Sequence, residues 1–273
     1  MIGAMFNLPE PIMQGDLPAS RSSIGLPASK RRFQAFVAMR SKTVEEVYAL
    51  RYRMFSEEMG ARLKGDGIDR DGFDAYCDHL VVRDRKHDRV VGTTRLLSDT
   101  AARRAGGFYS ETEFDLGAVP TLPGRLLEVG RTCIDPGCRG GAVLSVLWAG
   151  LARYAVERGF SYLMGCASIP PNPDGFAVEA FYHRLTDSQR GPQWLAVSSR
   201  RPVPEEMRAP TGDCGIPPLL QTYLRLGAWV LGDPYWDEDF NCMDVFILLP
   251  LDNMKGRYAR RFISSGVRPG ELL

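Results

Sequence analysis

The sequence predicts an α/β (α+β) fold: one domain with a mixed central sheet flanked by helices and a bulge in the fourth strand. Three observations carry this expectation. Apolar runs of strand length interleave with runs of helical periodicity along the chain. Residues 126–134 read as a strand that enters the turn Pro136-Gly137-Cys138-Arg139-Gly140-Gly141, and an amphipathic pattern follows at once to about Arg158. Two pairs of apolar runs, 79–84 with 90–97 and 227–231 with 243–249, fit antiparallel strand pairs.

Taken in order, residues 1–29 hold Pro9, Pro11, Pro18 and Pro27 among many Gly, Ser and Ala. They are expected to be a disordered leader before a single domain at 30–273. Residues 32–39 alternate in part and predict the first strand. Thr43-Val44-Glu45-Glu46 fits a capping box, in which Thr43 accepts a backbone N–H and Glu46 reaches back. The helix it opens carries Val44, Val47, Tyr48, Arg51, Met54 and Phe55 on one stripe, and Gly60 is its expected stop. Strands 79–84 and 90–97 follow, joined by the charged turn 85–89. Residues 98–124 are expected to be irregular. After strand 126–134 and helix 141–158 come a strand at 160–167 and a short helix at 176–185. Residues 187–216 are polar and proline-rich and predict an inserted loop. Pro217-Pro218 then opens a helix to Leu226.

Composition narrows the function classes. The chain has 273 residues, 44% hydrophobic and 25% charged, as expected of a globular protein. A net charge of +1 gives no global argument for nucleic acid. Six scattered cysteines form no CxxC pair and only three histidines accompany them, so no metal site is expected and the thiols read as reduced. No run of about 18 apolar residues predicts a transmembrane helix. The N-terminus lacks the basic start and apolar core of a signal peptide, so a cytoplasmic location is expected.

Glu128 and Arg131 stand three apart on the fourth strand. A regular strand would point them to opposite faces, whereas a bulge at Gly130 would bring both to one cleft. Read alone, the pair is either a structural ion pair or a base beside an anion clamp. Arg139-Gly140-Gly141 offers a cation and free backbone amides at a helix start, which suits a phosphate; an ordinary tight turn is the plain alternative. Asp66, Asp69, Asp71, Asp74 and Asp78 crowd one stretch, and Asp233, Asp237, Glu238, Asp239 and Asp244 another. Such runs are solvated loops or, if they converge on a pocket, a site for a cationic amine. Lys30, Arg31 and Arg32, then Arg103 and Arg104, then Lys255, Arg257, Arg260 and Arg261 either serve solubility or dock an acidic partner. Tyr182, on the short helix after the fifth strand, is either a packing residue or a proton donor.

Together these features resemble the GNAT acyltransferase superfamily. The order strand, capped helix, strand pair, bulged strand, phosphate turn with helix, strand, then the Ala177–Tyr182 helix matches its core. Arg51-Tyr52-Arg53-Met54-Phe55, Phe73-Asp74, Arg95-Leu96-Leu97 and Glu128-Val129-Gly130-Arg131 also resemble acylhomoserine-lactone synthases. Longer blocks are similar to the ornithine N-alpha-acyltransferases of ornithine-lipid biosynthesis. These are residues 51–60, 73–80, 107–116, 147–151, 165–168 and 217–228, so the likeness spans about 32–262.

The resemblance implies an enzyme that moves a 3-hydroxyacyl chain from the 4'-phosphopantetheine arm of acyl carrier protein to the alpha-amine of L-ornithine. The product is lyso-ornithine lipid, and no bound cofactor or metal is implied. Glu128 would act as base, directly or through water. Backbone N–H groups of Thr132, Cys133 and Ile134 would hold the oxyanion, Arg131 would orient the arm or a carboxylate, and Tyr182 would protonate the thiol. Arg139, Gly140 and Gly141 would hold the phosphate. The phosphate turn has Ala142 at the fourth position, where the superfamily pattern has glycine, which favours a carrier arm with one phosphodiester over coenzyme A. Arg103, Arg104 and Arg139 would dock acyl carrier protein. Arg51, Asp71 and Asp74 would line the amine site. Peripheral contact with an anionic inner membrane is a further implied partner. The alternatives are a synthase of acylhomoserine lactone or another N-acyl amino acid, and a catalytically silent carrier- or membrane-binding module.

Overall fold

A computed structural model describes residues 32–63, 67–139, 141–210 and 214–253. The expected leader, residues 30–31, Asp66, Gly140 and the basic stretch at 255–261 lie outside the described residues. Among the described residues, seven strands form one sheet. They are β1 (Phe33–Val37), β2 (Asp78–Asp84), β3 (Arg89–Ser98), β4 (Arg125–Ile134), β5 (Phe160–Ile169), β6 (Trp229–Asp237) and β7 (Cys242–Pro250). Their order is β1-β2-β3-β4-β5-β7-β6. Neighbours are antiparallel except β4 and β5, which run parallel. A parallel pair needs a crossover, and α3 (Ala142–Glu157) supplies it.

Alternating strand residues separate two apolar layers. Leu80, Val82, Leu127 and Val129 pack with α3, α4 (Val178–Arg184) and α5 (Pro218–Leu226). On the opposite face Val81, Val90 and Cys133 pack with α1 (Ser41–Tyr52). Leu97, Leu126 and Met164 pack with α2 (Asp99–Ala105) on that same face.

Four local expectations need correction. Thr43 does not cap α1, which starts two residues earlier. Its expected partner Glu46 instead bonds Arg83 (2.9 Å) and the Val90 N–H (3.1 Å), because a strand edge offers it a cation and a donor together. The helix does not run evenly to Gly60: from Arg53 to Glu58 it loosens into a π turn. The irregular stretch after β3 contains α2, capped by the Ser98 hydroxyl and closed by left-handed Gly106. The expected inserted loop carries short 3₁₀ turns and a two-residue strand, Ser198–Ser199, paired with Phe114–Asp115.

The sheet opens at its centre. β4 pairs with β5 only from Arg125↔Phe160 to Glu128↔Met164. β5 then stays with β7 as far as Ile169↔Met243. At the fork a Cβ on Gly165 would lie 2.4 Å from the Val129 carbonyl oxygen, so glycine is required for the strands to touch before they part.

The bulge in β4 is present, one residue beyond its expected place. Thr93 faces Cys133 while Arg95 faces Gly130, so Arg131 and Thr132 together oppose Thr94. Arg131, not Gly130, takes the left-handed backbone, with φ of 50°. The face assignment changes across it. Val129 and Ile134 share the α3 layer, whereas Leu126 and Cys133 lie on the α1–α2 side.

Candidate active site

The fork between β4 and β5 holds a cavity of about 560 Å³. Met54 and Phe55 of the π turn and Leu219 and Tyr223 of α5 give it apolar walls. Glu113, Glu128, Arg131, Asp237 and Asp244 give it a charged side. A π turn widens a helix at one point, which is how Met54 and Phe55 both reach the space.

Glu128 and Arg131 do face the same cleft, and Tyr109 joins them. Glu128 is 4% exposed, and its carboxylate accepts from the Tyr109 N–H (2.7 Å), the Ser110 N–H (2.6 Å) and the Ser110 hydroxyl. Burial raises its pKa above the usual carboxylate value, against the pull of the Ser110 and Tyr109 donors. The Arg131 guanidinium lies 5.1 Å from the Tyr109 ring centre and 4.9 Å from that of Phe240. It also pairs with Asp69 and Asp71, both at 3.5 Å. Thr132, Cys133 and Ile134 line the cavity, where β4 has lost β5 as a neighbour.

Asp71 and Asp74 sit in a lattice of arginines. Arg51 is fully buried and bonds Asp69 at 2.6 Å and Asp74 at 2.7 Å. Arg95 bonds both Asp71 oxygens, at 2.7 and 2.6 Å. Asp74 also accepts the Asp71 N–H at 2.8 Å, closing a capping box. Burial alone would raise the Asp74 pKa; the Arg51 and Arg95 charges overcome it and hold the group below its usual value. Three carboxylates thus meet three guanidiniums, and Arg51 is a structural cation with no open donor side.

Other expected residues fall elsewhere. Tyr182 is not in the cavity lining; its hydroxyl donates to the Gly232 carbonyl at 2.6 Å, so it is not placed to protonate a thiol there. Its helix packs in the α3 layer, with Val178 and Phe181 buried there. Arg139 is half-buried near the Met54 sulfur (3.7 Å), and Gly141 precedes α3 with φ of 81°. Arg103 and Arg104 are exposed on the last turn of α2.

Comparison with known proteins places this geometry in a family. The chain is 33% identical over 265 residues to the L-ornithine N(alpha)-acyltransferase of Rhizobium meliloti (strain 1021), covering 87% of this chain and 88% of that protein. It is 35% identical over 244 residues to the L-ornithine N(alpha)-acyltransferase of Agrobacterium fabrum (strain C58 / ATCC 33970), covering 81% and 82%. The chain belongs to the L-ornithine N(alpha)-acyltransferase family. Residues 50–149 match the acetyltransferase (GNAT) domain model, which takes in the π turn, β2 to β4 and the first half of α3. The solved structure of the CoA-dependent acyl-homoserine lactone synthase BjaI aligns with a TM-score of 0.50 at 18% identity, over 83% of this chain and 88% of that one. At that identity the likeness concerns the fold.

Within this L-ornithine N(alpha)-acyltransferase family member, sequence reasoning missed Tyr109, Ser110 and Glu113. They lie in the stretch expected to be irregular, and their signal was the block 107–116 itself, where buried side chains interrupt a turn. Asp237 and Asp244 belonged to the second acidic cluster, and both line the cavity.

Proposed function

We propose that this chain is an N-acyltransferase that moves a 3-hydroxyacyl group from acyl carrier protein to the alpha-amine of L-ornithine, yielding lyso-ornithine lipid. The observation that carries this reading is the forked cavity, apolar on the π-turn and α5 side and charged on the β4 and β7 side. An acyl chain suits the first and an amino acid the second. The family relatives named L-ornithine N(alpha)-acyltransferase support the acceptor.

In this scheme the neutral amine attacks the thioester carbonyl, a C–N bond forms and the C–S bond breaks. Glu128 takes the amine proton, directly or through water, and the same proton leaves with the thiol. Burial makes Glu128 a stronger base than an exposed carboxylate, and its Oε2 accepts a single bond from Tyr109, so a lone pair remains. Backbone N–H groups on the free edge of β4 around Thr132 to Ile134 hold the oxyanion. Arg131 orients a carboxylate or the arm's phosphate. Arg139 and Gly141 flank the start of α3, where a phosphodiester is favoured. Gly140 completes that turn in the sequence. Arg103 and Arg104 meet the acidic carrier. No described helix is long and apolar enough to cross a membrane, and contact with an anionic inner membrane is proposed as peripheral.

The test is direct. Purified protein, 3-hydroxyacyl-acyl carrier protein and a panel of amino acids are incubated, and products are read by mass spectrometry. Formation of N-acyl-ornithine above all other N-acyl amino acids is expected. A preference for homoserine derivatives, or equal turnover with acyl-coenzyme A, would overturn the acceptor or the donor assignment respectively.

A further inference from the structure

The second acidic cluster behaves differently from the first. Glu113 precedes the short strand Phe114–Asp115, Asp237 ends β6 and Asp244 lies in β7, yet all three line the cavity. Glu113 and Asp244 are each 3% exposed. The Glu113 Oε2 atom is buried with no hydrogen-bond partner. Asp244 interacts with the Ser168 hydroxyl and accepts a long contact from the Cys242 thiol at 3.8 Å, while Asp237 accepts from the Phe240 N–H at 3.0 Å. A carboxylate oxygen of Asp237, one of Asp244 and the Cys242 sulfur lie within 4.8 Å of one another.

Such a group of buried carboxylates is accommodated by protonation or by a positive charge, and the chain supplies that charge only in part. Arg131 acts on Asp237 and Asp244 from one side, but its guanidinium is already shared with Asp69 and Asp71. The site is enclosed and acceptor-rich. A primary ammonium has three donors and a compact charge, and fits this arrangement.

We propose that Glu113, Asp237 and Asp244 hold the side-chain ammonium of the acceptor amino acid and so set the preference for a diamino acid. The inference rests on the acyltransferase reading above and assigns the specificity pocket within it. It displaces Asp71 and Asp74 from that role, because their oxygens are occupied by Arg51, Arg95 and Arg131. Burial and the neighbouring Asp244 push the Glu113 carboxyl well above its usual range, and Asp244, chiefly through burial, is raised to about 6. A bound ammonium would lower both.

The test compares ornithine with norvaline, the same amino acid without the terminal amine. Binding is measured by calorimetry and transfer by mass spectrometry, for the wild type and for Glu113→Gln and Asp244→Asn. The ornithine-to-norvaline preference should collapse roughly 30-fold or more in each variant, since removing one member of a desolvated charge pair has effects of that order. Equal losses for both amino acids, or an unchanged preference, would overturn the pocket. If one variant fails to fold, the other and Asp237→Asn read the same ratio. A wild type that transfers acyl groups to neither amino acid overturns the acyltransferase reading; calorimetry then still decides the pocket, which falls if ornithine binds no better than norvaline. Stoichiometric zinc that survives dialysis of the wild type but not of Asp244→Asn would also overturn it.

Discussion

Two groups of three carboxylates lie around Arg131, and they differ in how they are matched. Asp69, Asp71 and Asp74 are matched by Arg51, Arg95 and Arg131, with contacts of 2.6–2.7 Å at the centre. Glu113, Asp237 and Asp244 have no such set, and one Glu113 oxygen is unpartnered. The matched group is a fastener: it ties α1 and the Gly72–Tyr76 turn to β3 and the bulge of β4. The unmatched group is available to a ligand. Density of acidic residues in a sequence therefore says little about function until the positions of the arginines are known.

The largest effect should come from cutting the fastener. Arg51→Met leaves Asp69 and Asp74 buried without their main partner, and stability measured by urea unfolding should fall by about 3–5 kcal/mol. Glu113→Gln replaces a buried carboxyl, one of whose oxygens has no hydrogen-bond partner, by a neutral group of the same shape, so stability should change by less than about 1 kcal/mol or rise. Equal destabilisation by the two substitutions would erase the contrast. Next in size is the fork. Gly165→Ala puts a Cβ against the Val129 carbonyl, which forces the strands apart and should cost roughly 1–3 kcal/mol, with loss of acyl transfer.

The two groups should also respond to pH with opposite sign. Asp74 has a lowered folded pKa, so its contribution is present above its unfolded value and is lost as pH falls through the folded one. Asp244 has a raised folded pKa of about 6. Its contribution is present below the unfolded value, near 4, and is lost as pH rises through about 6. Unfolding titrations of Asp244→Asn should therefore lose a decline in stability between about pH 4 and 6 that the wild type shows. A profile unchanged by the substitution would remove Asp244 from the account. The smallest effect concerns the exposed Arg103 and Arg104. Their neutralisation should raise KM for acyl carrier protein a few-fold and flatten its salt dependence, without changing stability.

Much of the fold was legible because its signals are local. The apolar runs of strand length in β2, β3 and β5 and the turn before α3 sit within ten or so residues of the features they predict. Ser98 and Gly106, which cap and close α2, are equally local signals. The π turn was not legible, since Arg53–Glu58 carries the same apolar spacing as the helix before it. In the site, the common cleft of Glu128 and Arg131 followed from the spacing once a bulge was allowed. Which residue would bend was not, because glycine is the natural candidate and Arg131 is held left-handed only by tertiary partners, Asp69, Asp71, Tyr109 and Phe240. Tyr182 and the occupied state of Asp71 and Asp74 depend on contacts between distant segments, which no local pattern encodes.

The short ladder between β4 and β5 has a mechanical meaning. Four paired positions, Arg125 to Glu128, are the spine of an open book. One leaf, β1-β2-β3-β4, carries Glu128 and Arg131; the other, β5-β7-β6, carries Asp237 and Asp244. Neither leaf holds the whole charged wall of the cavity, so the angle at the spine sets how far apart its two halves stand. A substrate that touches both leaves works as a clasp, and Arg125 to Leu127, the part of the spine outside the cavity lining, govern how tightly it can close.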